Sequence, residues 1–420
     1  MAKKNDVNKK TKKPKDKAKG WRITGIVFIC IIALILICSL VGCIGNSANV
    51  KHIKSLQAVA ADDKVEPLSA PVIDKETGYW TFTCDREFKI LQLTDVHIGG
   101  GFLSLGKDNK AIDAVYDMIS YTKPDLVIIT GDMAYPVPFS SGSFNNLTPT
   151  KIFAQLMEQM GIYWAFGYGN HDTEVYSYYD REEISEYYLN SGLKRCLFQR
   201  GPKDVDGEGN YVINVKNSSG IITQSLFILD SHAYSKGFFR DYDNLHQNQV
   251  DWYESEVKRL TEINKSHGAT DVIKSLMFFH IPLVEYKTAF DEYKNNGYKD
   301  TDNVKYYYGI VGEPNDLISC GVNQDNMFEK MIELKSTQGV FAGHDHLNNF
   351  SLDYNGGSGD YYVRLTYGLS IDYLAYFGIA KKTAQRGGTV ITLKPDTTFD
   401  CYGVRMLDKH EIRKVGDFEK

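Results

Sequence analysis

Five short motifs in this sequence carry side chains of the types that bind metal ions. They are Asp95-Val96-His97, Gly131-Asp132, Gly169-Asn170-His171-Asp172, His280 and Gly343-His344-Asp345-His346. Carboxylate, imidazole and amide oxygen are ligands for first-row metals such as zinc, manganese and iron. A carboxylate can bridge two ions about 3.5–4 Å apart, and such a pair lowers the pKa of a shared water towards about 7. The residue types therefore predict a two-metal site that generates hydroxide at neutral pH for phosphoryl displacement.

The elements that must position these motifs alternate between strands and helices. Strands are predicted at 79–84, 88–94, 125–130, 162–169, 225–230, 275–280 and 339–343, and helices at 108–122, 150–160, 247–265 and 324–335. Each motif directly follows or closes one of these strands. Strands that alternate with helices indicate an α/β fold with a largely parallel, buried sheet. Ligands bind beyond the carboxyl ends of the strands in such folds, so we expect the five motifs to meet there.

Two regions depart from this alternation. Residues 286–323 are rich in tyrosine and asparagine and have no clear period, which predicts a long insertion. The tail from residue 347 has short strand patterns with Gly-rich turns, which are better suited to an antiparallel sheet. We expect the insertion and the loops after residues 97 and 135 to shape the substrate site.

Together, the five motifs resemble the calcineurin-like metallophosphoesterase superfamily, whose pattern is DxH, GD, GNH[DE], a lone His and GHxH. All five blocks occur in order between residues 95 and 346. A closer likeness to the single-domain purple-acid-phosphatase-like branch is carried by GHDHLNNF (343–350), LTYGLSIDYLAYFG (365–378) and the Gln249–Trp252 pair. The resemblance implies a sandwich of two mixed β-sheets flanked by helices, with the site at one edge of the sheets.

The resemblance also implies a role for each motif residue. The first metal would be held by Asp95, His97, Asp132 and His346. The second metal would be held by Asp132, Asn170, His280 and His344, with Asp132 bridging. His171 would protonate the leaving-group oxygen, and Asp172 could orient its ring. The cofactors would be two divalent or mixed-valence ions of iron, manganese or zinc.

Tyr135 marks a departure from the purple acid phosphatases proper. Those enzymes have glycine where His97 stands and use the tyrosine of GDxxY as an iron(III) ligand. This chain has both His97 and Tyr135. Because both cannot readily fill one coordination position, we expect His97 to be the ligand and Tyr135 a neighbour, without an iron(III)-tyrosinate colour.

The N-terminal region predicts a membrane anchor. Residues 1–50 hold nine Lys, one Arg and two Asp, a net charge of +8, which leaves −13 for the other 370 residues. The apolar run Trp21–Ile44 is long enough to cross a bilayer, and the positive charges before it place the N-terminus in the cytoplasm. We therefore predict a cytoplasmic tail (1–20), a transmembrane helix (21–45), a stalk (46–71) and an extracytoplasmic catalytic domain (72–420).

One alternative keeps the domain tethered outside by another route. Leu40-Val41-Gly42-Cys43 would pass as a lipoprotein cleavage box, with Cys43 as the lipidated N-terminus. The remaining cysteines have no CxxC spacing, which argues against a thiolate metal site. The acidic body has no nucleic-acid footprint, so we expect a small phosphorylated substrate.

The predicted function is hydrolysis of phosphate esters, with phosphomonoesters favoured by analogy with the branch. One alternative keeps the site and changes the substrate, as in a phosphodiesterase or a nucleotidase. The other is a non-catalytic sensor of phosphate ligands, which would be expected to lack a ligand or the acid histidine. The sequence has both.

Overall fold

The computed structural model describes residues 17–59, 66–235, 241–322, 325–357, 359–376, 386–406 and 412–414. Residues 1–16 of the predicted cytoplasmic tail, the end of the 365–378 segment and the last residues of the predicted catalytic domain lie outside this part of the chain. Within it, the strands form two mixed sheets with helices packed against them, which confirms the predicted α/β sandwich.

The smaller sheet consists of β3 (Phe88–Leu93), β4 (Leu126–Thr130), β5 (Tyr163–Gly167), β13 (Gly387–Leu393), β14 (Phe399–Met406) and β15 (Ile412–Lys414). Its order is β15-β14-β13-β3-β4-β5. Strands β3, β4 and β5 are parallel, whereas β13, β14 and β15 are antiparallel to their neighbours. All five residues of β4 are buried, as expected of a strand covered on both faces.

The larger sheet consists of β1 (Val72–Ile73), β2 (Trp80–Thr83), β6 (Tyr211–Lys216), β7 (Ile222–Ile228), β8 (Ser275–Phe278), β9 (Val304–Val311), β10 (Thr337–Ala342), β11 (Asn348–Tyr354) and β12 (Val363–Tyr367). Its order is β1-β2-β6-β7-β8-β10-β12-β11-β9. The central strands β7, β8, β10 and β12 are parallel. The β9–β11–β12 edge is antiparallel, in agreement with the pattern predicted for the tail.

The described helices are α1 (Lys17–Ser55), α2 (Leu105–Thr122), α3 (Pro138–Ser141), α4 (Leu147–Met160), α5 (Arg181–Asn190), α6 (Gln247–Ser266), α7 (Val284–Asn295) and α8 (Met327–Leu334), with a 3₁₀ turn at Pro314–Asp316. One apolar core lies between the two sheets and beneath α2 and α4. A second core lies between the larger sheet and α6, α7 and α8. Alternate residues of β7 divide between the two: Leu226 and Ile228 belong to the first core and Phe227 to the second.

Helix α1 is longer than the predicted span. Its apolar stretch is long and hydrophobic enough to cross a membrane, and almost none of that stretch is buried in the protein. The helix continues through Ser55, into the range predicted to be a stalk, and there it packs against α2 and α4. Ile53 is fully buried, and the His52 ring pairs with the Asp113 carboxylate at 2.7 Å. Residues 46–55 are thus a docked helix and not a free linker.

The segment 286–323 also differs from the prediction. Most of α7 and the whole of β9 lie within it, and β9 pairs with β11 at the edge of the larger sheet. Tyr286 and Phe290 of α7 are buried in the second core. Because β9 alternates exposed and half-buried tyrosines along an edge strand, its sequence lacked the continuous apolar pattern of the central strands.

The five motifs all follow the carboxyl ends of parallel strands, as the sequence predicted. Three motifs follow β3, β4 and β5 of the smaller sheet, and two follow β8 and β10 of the larger one. Both sheets therefore contribute side chains to the same edge of the sandwich.

Candidate metal centre

The structure brings six of the predicted ligands into two compact groups. Three residues after β3 and β10 form the first group: Asp95, His97 and His346. Three residues after β4, β8 and β10 form the second group: Asp132, His280 and His344. In each group one nitrogen or carboxylate oxygen per residue lies within 4.8 Å of the others. Asn170, the seventh predicted ligand, places its Oδ1 3.1 Å from His280 Nε2 in the second group.

Asp132 lies where the two groups meet. Its Oδ2 is 3.6 Å from His97 Nε2 in the first group and 3.2 Å from His280 Nε2 in the second. Its Oδ1 accepts the backbone N–H of His171 at 2.7 Å, which fixes the orientation of the carboxylate. One oxygen of Asp132 is therefore free to serve both groups, as a bridging ligand requires.

Several buried polar atoms in these groups have no hydrogen-bond partner within the described residues. They include Asp95 Oδ1, Asp132 Oδ2 and both ring nitrogens of His97. A buried polar atom without a hydrogen-bond partner costs about 1–3 kcal/mol. Several such atoms are therefore rarely found close together in a folded domain. Carboxylate oxygens and ring nitrogens that converge in this way can each offer a lone pair to a cation. They are the ligand types that first-row transition metals bind. The residues present therefore fit a two-metal site.

Neighbouring groups orient the imidazoles of the second group. His280 Nδ1 lies 2.8 Å from the carbonyl oxygen of Thr130, so it donates its proton there and leaves Nε2 for a ligand. Burial is the main cause that lowers the pKa of His344 to about 3, and this keeps His344 neutral as a ligand must be. His344 Nδ1 lies 3.3 Å from His280 Nε2.

Four residues at the site have backbone conformations that residues other than glycine rarely adopt. Asp95, His97, Asp132 and His344 all have positive φ, between 51° and 91°. Each such residue costs about 1–3 kcal/mol and persists only where the surrounding structure imposes it. These conformations turn the side chains that follow each strand towards the same point.

Gly169 allows the 169–172 turn to approach Asp132. A Cβ atom at this position would lie 2.2 Å from Asp132 Oδ1. The turn is held by Asp172, whose carboxylate accepts the backbone N–H groups of Asp132, Ala134 and Gly169 at 2.8–2.9 Å. Asp172 thus fixes the two loops, whereas the resemblance implied that it could orient the ring of His171.

Glu174 orients the ring of His171 instead. Glu174 Oε1 lies 2.8 Å from His171 Nδ1 and also accepts the Tyr234 hydroxyl at 3.0 Å. Burial lowers the pKa of His171, but the Asp132 and Glu174 carboxylates raise it more, so the net pKa lies above its ordinary value. With Nδ1 held by Glu174, Nε2 of this half-buried ring is available to donate a proton.

Asp372 performs a comparable task for His346. The Asp372 carboxylate lies 3.2 Å from His346 Nδ1, which leaves Nε2 to face Asp95 Oδ1 at 3.4 Å. Asp372 also accepts the N–H groups of Leu374, Ala375 and Tyr376 at 2.6–2.7 Å. Burial raises its pKa, but His346, His97 and the Ala375 N–H lower it to about 2.

A buried ion pair supports the 169–172 turn from below. Arg181 pairs with Asp230, and its guanidinium donates to the carbonyl oxygens of Gly169 (3.0 Å) and His232 (3.2 Å). Asp230 is fully buried, and burial alone would raise its pKa. The charges of Arg181 and His232 lower it below its ordinary value.

Tyr135 lies beside the predicted ligands. Its ring is 4.7 Å from that of His97 and 4.9 Å from that of His171. Burial and the carboxylates of Asp372, Asp132 and Glu174 raise its pKa to about 12, which favours the neutral phenol.

Three supporting residues escaped the sequence analysis: Glu174, Arg181 and Asp372. Glu174 follows His171 by three residues, and Asp372 lies in the 365–378 segment quoted for its family likeness. These two positions could have identified Glu174 and Asp372 as supporting residues from the sequence. Arg181 gave none, because its partners are brought to it only by the fold.

Residues 88–348 of the chain match the family model described as Calcineurin-like phosphoesterase. The chain is 30% identical to "Probable inactive purple acid phosphatase 14" of Arabidopsis thaliana, over 66% of this chain and 72% of that protein. It is 28% identical to "Probable inactive purple acid phosphatase 29" of the same plant, over 70% of this chain and 74% of that protein. It is also 28% identical to "Phosphatase DCR2" of Saccharomyces cerevisiae, over 64% of this chain and 46% of that protein.

Proposed function

Since the chain belongs to the calcineurin-like phosphoesterase family, we propose that it is an active, membrane-anchored phosphoesterase whose catalytic domain faces away from the cytoplasm. Phosphomonoesters are the preferred substrates, in line with the names of its relatives. The observation that carries the proposal is the convergence of the seven predicted ligands on one edge of the sandwich, with His171 beside them.

Iron, manganese or zinc ions held by the two groups would polarise the phosphate ester and lower the pKa of water. The residues of the chain supply the rest of the mechanism. Asp132 holds the two groups together through Oδ2, and its Oδ1 fixes the backbone of His171. His171 Nε2 donates a proton to the leaving oxygen, while Glu174 stabilises the ring in its protonated state.

The apolar part of α1 supports the proposed membrane anchoring. The long apolar stretch of this helix lies near the N-terminus and is preceded by a strongly basic segment. Positive charge on the N-terminal side favours a cytoplasmic N-terminus and an extracytoplasmic body.

The relatives whose names include "inactive" support the alternative of a non-catalytic sensor. A sensor needs a phosphate ligand but no proton donor. In this chain the donor is present, its ring is held by Glu174, and that glutamate is itself held by Tyr234. A proton donor held in this way favours catalysis over binding alone.

The test uses the full chain in detergent or nanodiscs, purified without chelator, because α1 packs on the domain. Bound metals are counted by mass spectrometry, and hydrolysis is followed for p-nitrophenyl phosphate, its bis ester, an alkyl phosphate and nucleotides. We expect about two metals per chain and faster hydrolysis of monoesters. His171→Ala should lower the rate on the alkyl phosphate about 10²–10⁴-fold. The loss should be smaller on p-nitrophenyl phosphate, because its leaving group needs less protonation.

His267→Ala is the matched control, since this histidine pairs with Glu76 at the surface. It should leave metal content and rate unchanged. A folded wild type that binds two metals and hydrolyses none of the esters would reject the enzyme and favour the sensor. Equal losses in the two histidine variants would reject His171 as the acid.

A further inference from the structure

Three loops around the metal centre expose apolar side chains to solvent. They follow His97, Tyr135 and His171, and their exposed residues are Leu103, Phe139, Phe144, Val175 and Tyr178, which we call the apolar rim. Phe139 is 97% exposed and Leu103 is 52% exposed. Large exposed apolar side chains gathered on adjacent loops mark a surface that another apolar phase covers.

Hydrogen bonds and a ring contact join the segments that carry the rim residues. The Leu103 N–H donates to the carbonyl oxygen of Ser141 at 2.9 Å, which joins the first loop to the α3 segment that carries Phe139. The Tyr178 N–H donates to the Phe144 carbonyl oxygen at 3.0 Å, and the two rings stack at 6.1 Å. Val175 directly follows Glu174, the residue that orients the proposed acid.

Helix α1 contacts the same surface at the end of its apolar run. A Cβ atom on Gly42 would lie 3.5 Å from the backbone nitrogen of Phe102, and one on Gly45 would lie 2.2 Å from a Leu105 methyl carbon. The side chain of Asn46 donates to the carbonyl oxygen of Gly100 at 2.8 Å. Glycines at one face of the helix therefore let the loop after His97 pack directly on it.

The position of Gly42 along α1 determines where this contact lies relative to the bilayer. A helix needs about 20 residues to cross the roughly 30 Å hydrocarbon layer. Counted from Trp21, an aromatic residue suited to the inner interface, those residues end near Leu40. Phe102 and the rim beside it thus lie at the level where α1 leaves the bilayer.

The docked end of α1 prevents the domain from moving away from this level. The helix is continuous from Lys17 to Ser55, with its last turns packed on α2 and α4. A groove between α1 and α4 presents Lys51, Lys54 and Lys151, whose charges suit anionic headgroups. Asn46 lines this groove and also contacts Gly100, so the groove adjoins the loop after His97.

We propose that the apolar rim rests in the interfacial layer of the membrane that α1 spans, so that the metal centre acts on phosphate esters carried by lipids. This inference rests on the proposed phosphoesterase function and names the substrate class of that site. Aromatic and aliphatic side chains at the headgroup level bind by burying apolar area, as interfacial helices do.

The contact with lipid is tested first, without reference to activity. Tryptophan is introduced by Phe139→Trp in the full chain, reconstituted in nanodiscs of phosphatidylcholine with brominated acyl chains. The matched control is Tyr121→Trp, a 56% exposed position at the other end of α2, about 24 Å along that helix from Leu105. After subtraction of the wild-type signal, we expect strong quenching of the emission from the tryptophan introduced at position 139 and none at position 121. Equal emission in brominated and ordinary lipid at position 139 would overturn the proposal.

The substrate class is tested with phosphatidic acid in the same nanodiscs, with p-nitrophenyl phosphate as the water-soluble comparison. In the double variant Leu103→Ser/Phe139→Ser, the rate on phosphatidic acid relative to that on p-nitrophenyl phosphate should fall at least about fivefold. Tyr121→Ser should keep both rates. Unchanged hydrolysis of phosphatidic acid in the double variant would overturn the proposed substrate class. Quenching at position 139 with no hydrolysis of either ester would reject the phosphoesterase function while leaving the lipid contact in place.

Discussion

Replacement of Arg181 by methionine tests how strongly one buried ion pair supports the metal centre. The guanidinium binds Asp230, the carbonyl oxygens of Gly169 and His232, and the hydroxyl of Thr173 at 3.2 Å. Methionine keeps much of the apolar volume and removes every donor. The variant therefore leaves the Asp230 carboxylate buried without its cation.

The expected size of the effect follows from the burial of Asp230, which is complete. Breaking a buried pair from one side costs about 3–5 kcal/mol, because the remaining charge is uncompensated. For a domain of this size about 2 °C in Tm corresponds to 1 kcal/mol, so Arg181→Met should lower Tm by about 6–10 °C. Asp230→Asn in the same background should restore part of the loss, because it removes the stranded charge.

Thermal unfolding of the full chain in detergent, followed by circular dichroism, measures these shifts. Lys287→Met is the control, because Lys287 and Asp291 form an exposed pair on α7 whose removal should cost no more than about 0.5 kcal/mol. The kcat of Arg181→Met should also fall, since the turn that carries His171 loses its support. A Tm of the variant within about 2 °C of wild type, less than 1 kcal/mol, would refute the reasoning.

The pH dependence of the same pair has a definite sign. Burial raises the pKa of Asp230, but the charges of Arg181 and His232 lower it more, so the folded-state pKa lies below the unfolded value of about 3.9. A depressed carboxyl pKa contributes stability that is present above the unfolded value and is lost as the pH falls towards the folded one. The difference in Tm between wild type and Asp230→Asn should therefore be constant near neutrality and shrink below about pH 4.

Three further substitutions address the centre itself. Gly169→Ala should lower metal content at least about tenfold by mass spectrometry, because its Cβ would lie 2.2 Å from Asp132 Oδ1; full occupancy would contradict the close approach. Asp372→Asn should weaken metal retention about 10–100-fold in chelator competition, since His346 loses the carboxylate that fixes its tautomer; unchanged retention would show that the pair is incidental. Tyr135→Phe should leave the visible spectrum of the iron-loaded chain unchanged, because His97 already lies with Asp95 and His346 in the first group; a colour lost in this variant would identify Tyr135 as a ligand.

The sequence was sufficient for the parts of the fold in which local pattern and tertiary position agree. The buried parallel strands, such as β4 and β8, are short apolar runs, and a motif follows each directly. Ligands bind beyond the carboxyl ends of strands in such folds, so the convergence of Asp132 and His280 could be predicted from the sequence, although the two strands lie in different sheets. Their service as metal ligands stays a prediction that metal analysis tests.

The ion pair of Arg181 could not be predicted, because it depends on the distance between segments that are far apart in sequence. Arg181 meets Asp230 across 49 residues, and no periodicity links the two positions. Helix α5, which begins at Arg181, is short and has little apolar character, although Asp180 and Glu183 form a capping box at its start. The same limit applied to residues 46–55, whose docking depends on the surfaces of α2 and α4.

The left-handed backbone at Asp95, His97, Asp132 and His344 limits how this chain can be engineered. Glycine would relieve the strain of about 1–3 kcal/mol at each position, which exceeds the roughly 0.5–1 kcal/mol that its greater freedom in the unfolded chain costs. Each replacement would also remove a side chain from the centre. Selection for heat resistance together with turnover should therefore accumulate its substitutions in the helices and outer strands and leave these four codons untouched. Selection for heat resistance alone should reach them early and yield robust chains that no longer retain metal.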